Sequence, residues 1–299
     1  RPAYRFLPVS GPMSQSDDPT AGKNPPYGAS INYYLKSAPD GEVSLQILDA
    51  QGKTIRKLKG TKSSGINRIW WDLRYEQTKE IRLRTSPAYA PEIRLGPKGW
   101  RPLPEGERMS ILASPGTYTV KLIAGKQEFT QPLLVKKDPN SKGSEADIQA
   151  QMEILSGLRQ NLEEAADMVK TIEVVRAQLY DLTALLKDEK DKEICSTANE
   201  LDKKLVGIED NLIQRKLTGQ GQDDCRWPSK LVSKITYLAS DIASSDFPPT
   251  AQEKEVYALL KEKVKKNKQQ LEEVLSRDLA VFNNLLKKKN IQNIIVRVP

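Results

Sequence analysis

The stretch Val43–Leu73, VSLQILDAQGKTIRKLKGTKSSGINRIWWDL, decides the fold of the first half of the chain. Val43, Leu45 and Ile47 alternate with Ser44 and Gln46, the period of a half-buried strand. Asp49-Ala50-Gln51-Gly52 supplies a turn, because Asp and Gly tolerate the backbone angles a hairpin needs. Ile55 and Leu58 open a second strand, and Ser63-Ser64-Gly65 breaks it. Ile66, Ile69 and Trp71 fall in a third strand that ends at Asp72. Trp70 and Trp71 are adjacent, so they face opposite sides of that strand: one plugs the core and the other needs a cover.

Working outward, "GASINYYLKS" (Gly28 to Ser37) puts Ile31, Tyr33 and Leu35 on one face of a preceding strand. Far downstream, Pro115-Gly116 turns into Tyr118, Val120 and Leu122. A return strand follows through Phe129, Leu133 and Val135, with Pro132 marking an edge or bulge. Short strands with regular turn signals are read as an antiparallel β-sandwich over residues 27–137.

Between the third strand and the last hairpin lies a long insertion, 75–113, without clear periodicity. It carries Arg82, Arg84, Tyr89, Arg94, Trp100, Arg101 and Arg108 and is rich in proline. Such a segment inside a compact domain is usually functional or an interface. One reading is a loop folded over the open sandwich face, covering Trp70 or Trp71, or docked within the same polypeptide. The other is ligand binding, with carbohydrate stacked on Trp100. The first is favoured, because an Arg- and Pro-rich loop satisfies both covering and docking. The candidate interface or ligand residues are Trp100, Arg82, Arg84, Arg94, Tyr89, Trp70 and Trp71.

Helical periodicity takes over after the loop Asp138–Asp147, where Ser144 with Asp147 three residues on resembles a capping box. Ile148, Met152, Leu155, Leu158, Leu162, Ala166, Val169, Ile172, Leu179, Leu182 and Leu186 step by threes and fours with one gap. That predicts a helix to about Lys187, with Gly157 as the place for a kink. Ile194, Ala198, Leu201, Leu205, Ile208 and Leu212 make a regular a/d seam. A third helix is expected from about Trp227-Pro228, with Leu231, Ile235, Leu238 and Ile242 as its stripe. A fourth is expected from Ala251 to Lys289, with Val256, Leu260, Val264, Leu271, Leu275, Leu279, Phe282 and Leu286 inward and Asn267 as a register-fixing amide. Short loops make these an antiparallel four-helix bundle over 144–290. Residues 291–299 are a β-prone tail and 1–26 a Pro-rich lead-in, of which "AYRFLPV" has strand character. The fold class is therefore α+β: an immunoglobulin/fibronectin-like sandwich followed by a helical bundle.

Composition limits the chemistry. The 299 residues contain no histidine, which removes Ser-His-Asp and Cys-His catalysis and the usual zinc and facial-triad iron sites. The net charge is +8, but Lys and Arg are interspersed with Asp and Glu and lack interleaved aromatics, so nucleic acid is not expected as a partner. Charged residues make up 29% and the mean hydropathy is −0.57. No apolar run of about 18 residues predicts a membrane span. Cys195 and Cys225 sit at opposite ends of a helix roughly 30 Å long, against the about 7 Å that a disulfide allows, and are read as free thiols.

Candidate site motifs are weak. Gly219 and Gly221 in "TGQGQDD" follow a helix and lack a Gly-Lys-Ser/Thr ending, so they are turn formers and not a phosphate loop. Asp223 and Asp224 suit the cap of the next helix. Asp17 and Asp18 lack a spaced calcium loop. The pairs Asp72/Glu76 and Glu163/Glu164 have the composition of glycosidase acid/base chemistry, but fit turn-anchoring and solvated roles better.

The β pattern with "IRKL", "GINRIWWDLR" and "SPGTYTVKL" resembles the immunoglobulin-like module of flagellar hook-capping proteins and of bacterial secreted-protein tails. With "DDPTAGKNPPYGASINYYLK", "RLRTSPAYAPEIRLGPKGWRP", "KKDPNS", "IQRKLTGQGQDD" and "RWPSKLVSKITYL", the chain is similar over its whole length to the C-terminal part of bacterial sortilin-like proteins. These carry Asp-box (BNR-repeat) β-propellers and are labelled glycosyl hydrolases. The resemblance implies an exported protein, periplasmic or extracellular, with a propeller upstream of Arg1 as its partner. It implies that any catalytic carboxylates lie in that propeller. The chain opens Arg-Pro-Ala-Tyr without an initiator Met or a leader, so it is expected to be a fragment. Its expected role is non-catalytic, without cofactor or metal: a structural and interaction module or, alternatively, a carbohydrate- or peptide-binding accessory using 75–113.

Overall fold

The computed structural model describes residues 1–7, 26–87, 89–104, 108–186, 188, 191–221 and 223–296. The chain is α+β and divides into two compact units. One comprises Arg1–Gln77, Ser110–Ser156 and Ile242–Pro249; the other Thr78–Met109, Gly157–Asp241 and Thr250–Pro299. This division is not linear in sequence. Most of the segment expected as an insertion, 78–109, groups with the helices, and residues 242–249 group with the strands.

The first unit holds β1 (Ala3–Arg5), β2 (Ala29–Leu35), β3 (Val43–Leu48), β4 (Thr54–Lys59), β5 (Gly65–Trp71), β8 (Gly116–Ala124) and β9 (Gln127–Lys137). The labels β6 and β7 belong to the hairpin Arg82–Leu83 and Arg101–Pro102 of the second unit. Five strands form one sheet in the order β1-β9-β8-β3-β4, while β2 and β5 pair separately, Ala29 opposite Trp71 and Leu35 opposite Gly65. The expectation of a purely antiparallel arrangement is corrected. β1 runs parallel to β9, Ala3 opposite Val135, so the sheet is mixed. β1 covers β9 only from Val135 to Lys137, which leaves the outer edge of Pro132 without a ladder to donate to.

Period-2 patterning explains the β core. Val43, Leu45 and Ile47 are buried while Ser44, Gln46 and Leu48 are only half-buried. In the turn, Asp49 Oδ1 accepts from the backbone N–H of Gln51 (3.1 Å) and Lys53 (2.9 Å), and Gly52 takes φ +78°. Trp71 is the core plug: its ring lies 5.3 Å from Tyr118 edge-on, and Nε1 donates to Arg74 O at 2.9 Å. Residues from both sheets, among them Ala29, Leu45, Ile55, Trp71, Tyr118 and Val135, form one hydrophobic cluster. Ile66 is exposed, since it lies an odd number of residues from the buried Trp71 and so faces the other side of the strand.

α1 (Glu145–Leu185) starts at the anticipated capping box. Asp147 N–H donates to Ser144 Oγ (3.1 Å) and Ser144 N–H to Asp147 Oδ2 (2.9 Å). Its residues to Ser156 belong to the first unit. There the Gln151 amide donates to the carbonyls of Ile242 (3.0 Å) and Phe247 (2.7 Å), and Arg5 of β1 forms a buried ion pair with Asp246.

The second unit contains the rest of α1, then α2 (Lys192–Leu212), the short α3 (Asp223–Arg226), α4 (Leu231–Ile242) up to Asp241, α5 (Ala251–Glu273) and α6 (Leu279–Lys288), with a π turn Val274–Asp278 between the last two. All six seam residues of α2, from Ile194 to Leu212, are buried. α4 begins after Pro228 and not at it. The final helix follows the expected span but is re-phased. Leu260, Val264, Asn267, Leu271, Val274, Leu279, Phe282 and Leu286 are buried, and the five-residue step from Val274 to Leu279 is taken up by the π turn. Hence Leu275 turns half outward, and Val256, at the stripe's edge, is exposed. Asn267 accepts from Asn211 Nδ2 (3.2 Å) and donates to Lys263 O (2.8 Å), as a buried register amide should. The tail is not a strand over its described residues 291–296. Its backbone is satisfied by side-chain amides, Ile294 by Asn283 (2.8 and 3.1 Å) and Ile295 by Gln178 (2.9 and 3.0 Å). Asp17, Asp18 and most of the lead-in, the end of the tail, and the side chains of Asp223 and Asp224 lie outside the described residues. No helix among the described residues is long and apolar enough to cross a membrane.

The Arg5–Asp246 pair carries a testable energy. Both side chains are 4% exposed, so removing one partner leaves an uncompensated buried charge, costing about 3–5 kcal/mol. Asp246→Ala should lower urea stability of the strand-bearing unit by about that amount; a loss below about 1 kcal/mol would show the pair to be dispensable.

Candidate functional site

The densest arrangement of ionisable groups lies in the second unit, where α1 and α2 meet the 78–109 segment. On α1, Glu173, Arg176 and Tyr180 stand at i, i+3 and i+7, one face of the helix. On α2, Asp202 and Glu209 are two turns apart, also on one face. Arg176 is the hub. Its Nε donates to Asp202 (2.8 Å), Nη1 to Glu209 (2.7 Å) and Glu173 (3.2 Å), and Nη2 to the Tyr180 hydroxyl (2.6 Å). Arg215 adds a second cation to Glu209 Oε2 at 3.1 Å. Glu173, Arg176 and Glu209 are each at most 1% exposed.

Glu173 is the clamp on the irregular segment. It accepts the backbone N–H of Arg84 and Thr85 and the Thr85 hydroxyl (2.7 Å). Arg101, itself buried, donates to Thr85 O (3.1 Å) and Leu217 O (3.3 Å). Further along, Lys79 donates its backbone N–H to Glu163 (3.2 Å) and its ammonium to Asp167 (2.7 Å). Thr78 closes the neck through Met109, with bonds of 2.9 Å in both directions.

Burial would disfavour the Arg176 cation, but Glu209 and Asp202 more than reverse this, and its affinity for the proton ends above that of an ordinary guanidinium. Arg101 is lowered, because burial outweighs the attraction of Glu173 and Glu209. Glu209 is pushed well above the carboxylate range by burial first and the like charge of Glu173 second, only partly offset by Arg176 and Arg215. Its Oε1 is buried and finds no hydrogen-bond partner among the described residues.

The residues singled out in the sequence fall into separate sets. Arg82 lies over the Trp100 ring at 4.3 Å from its centroid and pairs with Glu80 at 2.9 Å; Arg82 is exposed and Trp100 half-buried. Arg84 is used through its backbone, and its side chain is exposed, as is that of Arg94. Tyr89 gives its hydroxyl to Lys216 O and places its ring 5.9 Å from Trp227, over which the Lys216 ammonium sits at 4.2 Å. Trp70 and Trp71 belong to the strand-bearing unit, Trp71 in its core and Trp70 half-buried.

Asp72 and Glu76 are held by Arg56 (3.5 and 3.7 Å), and Glu164 by Lys268 (3.3 Å). Among the described residues no group of three or more Cys, Asp or Glu is placed to hold a metal ion, and Cys195 and Cys225 are free. The sequence reading passed over Glu173, Arg176 and Glu209, although a signal existed. The gap in the α1 stripe between Ile172 and Leu179 falls on Arg176, four residues after one and three before the other.

Compared with known proteins, the chain matches no family model, no curated protein and no solved structure. The resemblance to the sortilin-like C-terminal region rests on the motifs quoted above alone.

A raised folded-state carboxyl contributes stability below its unfolded value, near 4.5, and loses it as the pH climbs through the folded value. Glu209→Gln mimics the protonated side chain. Relative to wild type it should gain stability as the pH rises from about 4.5, by about 1.4 kcal/mol for each pH unit the folded carboxyl stays protonated beyond the unfolded one. Thermal unfolding from pH 4.5 to 8 checks this; a constant difference across that range would mean that the fold does not raise the Glu209 carboxyl.

Proposed function

We propose that the chain is a non-catalytic structural and interaction module of an exported, propeller-bearing protein, read as an immunoglobulin/fibronectin-like sandwich with an antiparallel four-helix bundle. The observation that carries the reading is how the buried ion cluster is used. Glu173, Arg101 and Lys79 bind the 78–109 segment to the helices of its own unit, so the described carboxylates nearest the arginine-rich stretch hold structure. What the clamped segment leaves at the surface is Arg82 stacked on Trp100, with Arg94 also exposed. Arg and Trp on a rigid base are the residue types that dominate protein contacts, because little side-chain entropy is lost when they bind.

The cluster of motifs resembling the sortilin-like C-terminal region supports the upstream propeller as the partner. The second reading, a carbohydrate- or peptide-binding accessory, is favoured by the accessible part of Trp100. Arg82 covering one face of that ring argues against simple sugar stacking there.

A pull-down of the chain with the propeller region supplied in trans tests the proposal. Wild type should bind, and Arg82→Glu/Arg94→Glu, both at exposed positions, should weaken binding at least about tenfold. No binding by a folded chain, together with glycan-dependent quenching of tryptophan emission, would move the assignment to the accessory role. Turnover of glycosides by the chain alone would contradict a non-catalytic module.

A further inference from the structure

Within the second unit, α4 and α5 line a groove of about 1180 Å³. Only residues 243–250 separate the two helices, and the chain turns back between them, since the Gln151 amide nitrogen donates to both Ile242 O and Phe247 O. The two helices therefore run along the groove in opposite directions. Tyr237 of α4 and Val256 and Leu259 of α5 lie on its walls and are 76%, 43% and 54% exposed. Water selects polar residues for the outer face of a helix, so three large apolar side chains opening onto one groove mark a contact surface.

Charged groups bracket this apolar centre in a fixed order. On α4, Lys234, Tyr237 and Asp241 stand at i, i+3 and i+7, one face of the helix. On α5, Glu253, Val256, Leu259 and Lys263 stand at i, i+3, i+6 and i+10, again one face. All of them line the groove. Asp241, in the last turn of α4, and Glu253, in the first turn of α5, stand at the end nearest the connection; Lys234 and Lys263 stand towards the other. Glu253 uses one carboxylate oxygen to cap Thr250 and keeps its charge. Lys234, Asp241 and Lys263 are exposed and form no ion pair with a described residue. The groove thus has an apolar middle, an anionic end and a cationic end.

A surface with this order is complementary to itself. We propose that the α4–α5 groove is the interface of a two-fold symmetric dimer of this chain. With the axis in the plane of contact and at right angles to the groove, each helix lies antiparallel to its counterpart. Lys234 of each copy then faces Asp241 of the other, Lys263 faces Glu253, and the apolar residues of both copies meet at the centre inside a polar rim. An axis along the groove would set like charge against like, so the charge order selects the antiparallel arrangement. The apolar middle supplies the affinity, and the ion pairs fix the direction, because exposed pairs add little affinity of their own. The groove uses other side chains than the Arg82–Trp100 surface, and the dimer does not depend on the role proposed there.

Sedimentation velocity of the full chain at physiological salt tests this. Wild type should be dimeric at about 100 μM and dissociate on dilution, with a Kd of about 10 μM or tighter. Tyr237→Glu, at an exposed position, should weaken the dimer about tenfold or more. Lys234→Glu alone and Asp241→Lys alone should each weaken it about threefold or more, because each sets like charges face to face twice per dimer. Mixing these two single variants should restore association to within about twofold of wild type, since both contacts of the mixed dimer again pair opposite signs. That rescue requires position 234 of one copy to face position 241 of the other, and a damaged fold would not recover on mixing. A monomer at every concentration would overturn the proposal and leave the groove to a different protein. Dimers that survive Tyr237→Glu, or single variants that fail to recover on mixing, would overturn it as well.

Discussion

The helical unit depends on one desolvated cation. Taking the Arg176 guanidinium out of water is expensive, and the structure compensates with Asp202, Glu209, Glu173 and the Tyr180 hydroxyl, so that the hub's described donors face oxygen at 2.6–3.2 Å. Gathering carboxylates around one cation creates a second problem, the repulsion between Glu173 and Glu209. Burial and that repulsion together push the Glu209 carboxyl well above the carboxylate range. Glu173 then has acceptor capacity left for two backbone amides of an otherwise irregular segment. A stretch with almost no secondary structure, apart from the two-residue pairing of β6 and β7, is thereby fixed through buried electrostatics in place of a ladder.

The strand-bearing unit is held by different physics. Its centre is apolar, with Trp71 against Tyr118 and the alternating Val43, Leu45 and Ile47. Its periphery is fixed by polar contacts across long sequence separations: Arg5 with Asp246, and the Gln151 amide on the carbonyls of the 242–249 segment. These contacts explain why a stretch near residue 245 belongs with strands that begin at residue 3.

What was legible in the sequence was whatever repeats with a period. The β3 alternation, the α2 seam, the capping box at Ser144 and the buried amide of Asn267 all follow from spacing, because one-sided burial selects residues at intervals of two or about 3.6. What was not legible is aperiodic. The parallel pairing of β1 depends on a chain reversal outside any local pattern. The π turn shows only as a five-residue step between Val274 and Leu279, and the expected stripe passed through Leu275 instead. The candidate site was half visible. Arg82, Arg94 and Trp100 were singled out by residue type, but the groups that fix their base, Glu173, Arg176 and Glu209, read as ordinary helix charges. Only the missing apolar residue at position 176 separates a buried ion from a solvated one.

The central claim is that Glu173 clamps the irregular segment through the backbone amides of Arg84 and Thr85. Residue-resolved hydrogen exchange of the intact chain addresses it most directly. Neither amide lies in a helix or strand, so without the clamp both would exchange at the rate of an open loop. The account predicts that both are slowed at least about a hundredfold and open together with the α1 amides around Ile172. Unprotected exchange at Arg84 and Thr85 beside a protected α1 would contradict it.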